Sequence, residues 1–150
     1  MKKVLTIMAI FLSLAVSAQT YVSGSTSFYN GTGDFGNKGM ATLEVGKQWD
    51  VLSVGLAGGV TQFDGGKAFA EVRSSVTVFQ KGIVSVAPVI GVGYVFDSNT
   101  DYLVEYGAAG TVAINKNWSV SLSTGVYHFN GKNTYGKATF TGLGLTYSFK

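Results

Sequence analysis

The sequence predicts an all-β fold: one eight-stranded antiparallel up-and-down barrel that spans a membrane and follows a signal peptide. Three observations predict it. Charge is scarce, turn-forming clusters recur at a near-constant spacing, and the segments between them alternate between bulky apolar and small residues.

Charged residues are 13% of the 150, against roughly 25% in an ordinary soluble domain. With 21 glycines besides, the chain lacks the side chains that coat a water-facing surface. Composition is uniform and nothing resembles a linker, so one domain is expected. Without Lys2 and Lys3, which belong to the leader described next, the eleven basic residues become nine against eight acidic ones. The mature chain is nearly neutral. Lys38, Lys47, Lys67, Lys81, Lys116, Lys132 and Lys137 each stand between neutral residues, so the basic stripe that neutralises phosphates in nucleic-acid binders is missing and such partners are excluded. The absence of cysteine removes thiolate nucleophiles, CxxC metal sites and disulfides together.

Residues 1–18 combine Lys2 and Lys3, an apolar run from Val4 to Leu14, and the small-residue stretch Ala15, Val16, Ser17, Ala18 before Gln19. This is a signal-peptide pattern with cleavage expected after Ala18, and its apolar run is shorter than the roughly 20 residues of a helical span. The domain division is therefore 1–18 leader and 19–150 barrel. Later hydrophobic stretches are all interrupted, and a chain that enters a bilayer without apolar helices must close its strands into a barrel.

Turn clusters fall at 30–39, 49–50, 64–67, 80–82, 97–101, 115–117 and 130–136, leaving eight segments of the length a tilted membrane strand requires. In the third, Leu52, Val54, Leu56, Gly58 and Val60 oppose Ser53, Gly55, Ala57, Gly59 and Thr61. The fourth to seventh repeat this period of two. A soluble barrel would cover its outer parity with charge, whereas here the non-bulky parity is mostly Gly, Ser, Ala and Thr. That face suits a narrow lumen, and the bulky face then meets lipid. Pro88 inside the fifth segment suggests a bulge, and Phe140, which shares parity with Gly142 and Gly144, implies a bulge or an aromatic in the upper lumen.

Aromatic residues near the segment ends suggest two girdles. Trp49 and Trp118 lie on one side, and Tyr29, Phe63, Tyr94, Phe96, Tyr102, Tyr127 and Phe129 lie towards the other. The chain ends on Gly144, Leu145, Thr146, Tyr147, Ser148, Phe149 and Lys150. This run resembles the C-terminal assembly signal of outer-membrane barrels, with Gly144, Tyr147 and Phe149 on the matching positions and Lys150 after the usual terminal aromatic. Together with the leader and the eight segments, residues 19–150 resemble the small outer-membrane barrel family of the OmpA transmembrane domain and OmpX-type proteins. The resemblance implies location in the cell outer membrane, insertion by the barrel assembly machinery, both termini in the periplasm, and outer-membrane lipids and lipopolysaccharide as partners. The chain is expected to act as a monomer, with no cofactor and no metal.

Glu44, Glu71, Arg73 and Glu105 share the lumen parity, so a polar network inside the barrel is expected, with Lys67 or water completing the pairing of Arg73. Paired carboxylates also suit acid–base catalysis, but a lumen filled with side chains admits no substrate. His128 shares the lipid-facing parity. Lipid A 3-O-deacylases carry His, any residue, Ser and Asn on a barrel wall; here the run is His128, Phe129, Asn130, Gly131, without the serine nucleophile. Gly31, Gly33 and Gly36 match GxGxxG, yet Met40 to Trp49 reads as strand where a dinucleotide site needs a helix. The leading expectation is a non-enzymatic envelope protein with a structural or surface-contact role. The alternatives are a small passive pore for ions or very small solutes, a lipid A-modifying enzyme and a secreted fibre former.

Overall fold

The computed structural model describes residues 18–31, 38–61, 66–96, 101–130 and 135–149. Residues 1–17 of the expected leader, Phe63 and most of the four longer turn regions lie outside the described residues.

Period-two alternation becomes strand throughout: β1 (Gln19–Gly31), β2 (Lys38–Gln48), β3 (Leu52–Thr61), β4 (Lys67–Val76), β5 (Phe79–Lys81), β6 (Val84–Phe96), β7 (Asp101–Ala113), β8 (Trp118–Asn130) and β9 (Tyr135–Ser148). Neighbours in sequence pair antiparallel, and two further pairings, β1 with β9 and β4 with β6, close the sheet. Gly33 and Gly36 of the GxGxxG-like run lie outside the described residues, and the element that follows is strand β2.

β4 and β5 form a single stave, which makes the barrel eight-stranded. Ser75 pairs with Val89 and Phe79 with Val86, so three residues of this stave, Val76 to Val78, oppose only Ala87 and Pro88. The extra residue is a bulge set against the proline, whose ring nitrogen has no hydrogen for the ladder. Pairing resumes where Val78 N donates to Val86 O at 3.0 Å, and Gly82, with φ of 60°, takes the left-handed first position of the following hairpin turn.

The three short turns share one end of the barrel with Gln19 and Ser148. At 115–117, Asn115 Oδ1 accepts the backbone N–H groups of Asn117 and Trp118, each at 2.9 Å. Asn117 Nδ2 donates to Ser148 O at 2.8 Å and ties that turn to the last strand. In transmembrane barrels the short turns are periplasmic, and the two ends are named accordingly below.

The register also sets barrel size. Pairing runs from Thr20 through Lys47, Val54, Ser74, Ile90, Tyr106, Val126 and Thr139 to Asn30, ten positions further along β1. A stagger of ten over eight strands corresponds to a tilt of roughly 40°. The outward parity carries Leu43, Leu56, Val72, Ile90, Leu122 and Leu143, each at least half exposed, while Ala57, Glu71, Leu103 and Tyr127 are buried within. A soluble core arrangement is thereby inverted.

Lumen glycines let the walls approach. A Cβ on Gly93 would sit on the Ala70 carbonyl oxygen and the Glu71 backbone, whereas one on Gly110, on the outer face, meets nothing within 4 Å. Gly93→Ala is expected to destabilise the barrel by about 1–3 kcal/mol through overpacking, with Gly110→Ala near neutral. Urea unfolding of both variants in lipid vesicles measures the difference.

Candidate functional site

The lumen has three levels, each set by which side chains share the inward parity. At the extracellular end, Tyr29, Met40, Phe69, Leu103, Tyr127, Phe129 and Phe140 form a buried plug. Tyr127 stands with ring centroids 4.5 Å from Phe140 and 5.4 Å from Tyr29, the latter edge-on, and the Tyr29 hydroxyl donates to Met40 Sδ. Phe140 is the upper-lumen aromatic of the two alternatives its parity allowed.

Beneath the plug the structure brings Glu44, Glu71, Arg73 and Glu105 together. Arg73 Nε donates to Glu105 Oε2 at 2.6 Å and Nη1 reaches Glu44 Oε2 at 3.4 Å. Nη2 donates to the Tyr127 hydroxyl at 2.8 Å and lies 2.8 Å from Glu71 Oε1. The Tyr21 hydroxyl donates to the other oxygen of Glu44. β2, β4, β7 and β8 are thus held by one guanidinium, whose planar fork suits several acceptors at once. Glycine makes the room: a Cβ on Gly91 would lie 2.8 Å from Glu71 Oε2 and 3.1 Å from Glu105 Oε2.

Below the network lies a vestibule of about 620 Å³, open at the periplasmic end and lined by hydroxyls such as Ser23, Ser53, Ser75, Ser121 and Ser123. Ser53 and Ser75 bond each other at 2.7 Å, and Thr146 donates to Ser23 at 2.9 Å. Side chains fill the lumen at its two upper levels and not here. Small side chains on the lower inward positions cannot occupy the width that eight staggered strands enclose.

Two tyrosines of the network, Tyr21 and Tyr127, are not evident as such in the sequence, although both carry the inward parity of their strands. The same parity corrects the extracellular girdle: Tyr29, Tyr127 and Phe129 are buried in the lumen, not set against lipid. Tyr94 and Phe96 stand exposed on the outer wall, Tyr94 beside Tyr102 at 5.1 Å. At the periplasmic end Trp118 is exposed and packs edge-on against Tyr147 at 4.9 Å, and Tyr147 packs against Phe149 at the same distance. Trp49 lines the vestibule mouth instead. Gly144 faces inward between Ser25 and Ser121. On the outer wall His128 Nε2 lies 3.0 Å from the Tyr106 hydroxyl, and no serine accompanies it as a nucleophile among the described residues. Among the described residues no group of His, Asp and Glu side chains could hold a metal ion.

Arg73→Met leaves three carboxylates facing one another without a cation and is expected to destabilise the barrel by about 3–5 kcal/mol. Tyr127→Phe, which removes one hydrogen bond to a charged group, is expected to cost about 1.5–3 kcal/mol. Equilibrium unfolding in urea, followed by tryptophan fluorescence, checks both the direction and the order of the two.

No family model and no curated protein sequence matches the chain. Solved structures do. Neisserial surface protein A (NspA) superposes with a TM-score of 0.63 at 8% identity, covering 87% of this chain and 97% of that one. The N-terminal β-barrel domain of Pseudomonas aeruginosa OprF gives 0.64 at 13%, covering 88% and 99%. Ail, the attachment invasion locus protein of Yersinia pestis, gives 0.55 at 16%, covering 88% and 97%. Identities this low establish a shared fold and no more. The chain thus has the fold of these proteins, a small closed eight-stranded antiparallel β-barrel with an apolar outer wall.

Proposed function

We propose that the chain is a non-enzymatic outer-membrane protein whose closed barrel serves the cell envelope as a structural element or a surface contact. The observation that carries this reading is the lumen: among the described residues an aromatic plug seated on an ion-paired network leaves no through-path, and the Glu44 and Glu105 carboxylates that line the vestibule are both tied to Arg73. The names of Neisserial surface protein A and of Ail favour a surface role in the same direction. In this reading the leader is removed after Ala18, the barrel assembly machinery recognises Gly144, Tyr147 and Phe149, and the barrel stands in lipid as a monomer. Outer-membrane lipids and lipopolysaccharide surround it.

The vestibule favours a second reading, a small passive pore, because it already opens the periplasmic part of the lumen to water. The plug supports the first reading over the second. The full-length chain is expected in the outer-membrane fraction, with gel mobility that changes on boiling. In planar bilayers the native barrel should hold the conductance baseline, while Tyr127→Ala with Phe140→Ala should open discrete channels. Channels from the native barrel would give the pore reading precedence.

A further inference from the structure

Glu44, Glu71 and Glu105 point into the lumen, while Lys47 points outward on β2 at the periplasmic rim, where Nζ donates to the Thr20 hydroxyl at 2.7 Å. Among the described residues no carboxylate stands on that outer wall, and the ammonium's hydrogen-bond partner there is a hydroxyl. Thr20 accepts from Lys47 and keeps its own O–H to donate. A cation and a free hydroxyl donor side by side at headgroup level are the chemistry that receives a phosphate oxygen.

A second observation lies above them on the same two strands. An apolar groove of about 650 Å³ runs over the lipid-facing wall, floored by Gly24, Ala41 and Gly58 and walled by Leu43, Leu143 and Leu145. Gly24 is four residues above Thr20 and pairs with Leu43, itself four residues above Lys47. The separation is about 13 Å along the strand, within reach of one acyl chain passing over the outward pair Val22 and Val45.

We propose that Lys47, Thr20 and this groove form a binding site for one glycerophospholipid of the periplasmic leaflet, with its phosphate on Lys47 and Thr20 and one acyl chain over Gly24. The proposal rests on the membrane-barrel reading above. A second copy of the chain fits less well, because a two-fold contact across the groove would bring the two Lys47 ammonium groups towards each other without an anion between them.

The test is native mass spectrometry of the barrel extracted from membranes in detergent, titrated with dipalmitoylphosphatidylglycerol and, separately, with dipalmitoylglycerol, which has the same chains and no phosphate. Lys47→Gln should weaken retention of the phosphatidylglycerol about fivefold and leave the diacylglycerol unchanged. Gly24→Leu fills the groove without disturbing the fold, since a Cβ there meets only Leu43 Cδ2 at 3.7 Å, and should reduce retention of both. Gly110→Leu, on the outer wall of β7 and away from the groove, should match the native chain. Equal retention of both lipids, or equal behaviour of all variants, would overturn the site and leave only unspecific boundary lipid. A dimer dissolved by Gly24→Leu would overturn it in favour of a second copy. Failure of the native chain to enter membranes would overturn the barrel reading itself, whereas an inserted chain without preference for the phosphate-bearing lipid overturns the lipid site alone.

Discussion

The backbone ladder is the constraint on which the rest depends. Hydrocarbon offers no partner to a peptide N–H or C=O, so a strand in a membrane must be paired along both edges. In this barrel the first and last strands meet from Tyr21 with Ser148 to Gly31 with Ala138, and β4 meets β6, which closes the sheet and leaves the short β5, at the rim, paired along one edge. Closure fixes the stagger, the stagger fixes the tilt and the width, and the width decides what the lumen must contain. Pro88 shows how strictly the ladder is kept. One missing donor is absorbed by one extra residue on the facing stave, and pairing resumes at Val86.

Width and side-chain volume then divide the lumen. Aromatic rings fill the extracellular end, a single guanidinium binds three carboxylates and a tyrosine in the middle, and serines leave the periplasmic end open. Arg73 is the centre of this arrangement, because without it the carboxylates would repel across a space of low dielectric. The glycines opposite the network belong to the same solution: Gly91 and Gly93 give up side chains where Glu71 and Glu105 need the room.

Much of this is legible in the sequence because period two is both a local pattern and a global one. The strict parity of β3 separates two faces, the scarcity of charge on the small-residue face marks that face as the lumen, and the same parity brings Glu44, Glu71, Arg73 and Glu105 to one interior. For the aromatics two signals conflict. Tyr127 and Phe129 lie one position out of step with Trp118 and Val120, which places them in the lumen, yet their nearness to a strand end points to a girdle. What a linear pattern cannot carry is height: that Tyr21 lies within reach of Glu44, or that Tyr127 meets Arg73, depends on the stagger accumulated around the barrel. The open vestibule is hidden for the same reason, since it follows from the balance of side-chain volumes on eight strands at one level.

The central claim is that bulky residues face lipid and small or polar ones face the lumen, and the cysteine-free chain allows it to be tested one position at a time. The most direct measurement is electron paramagnetic resonance of nitroxide labels on Leu56→Cys and Ala57→Cys in lipid vesicles, comparing collision with oxygen, which dissolves in hydrocarbon, against a water-soluble nickel complex. Leu56 is 64% exposed on the outer wall and Ala57 is 1% exposed in the lumen, so the account predicts strong oxygen collision at 56 and little at 57. The reverse pattern, or equal contact with the nickel complex at both positions, would contradict it.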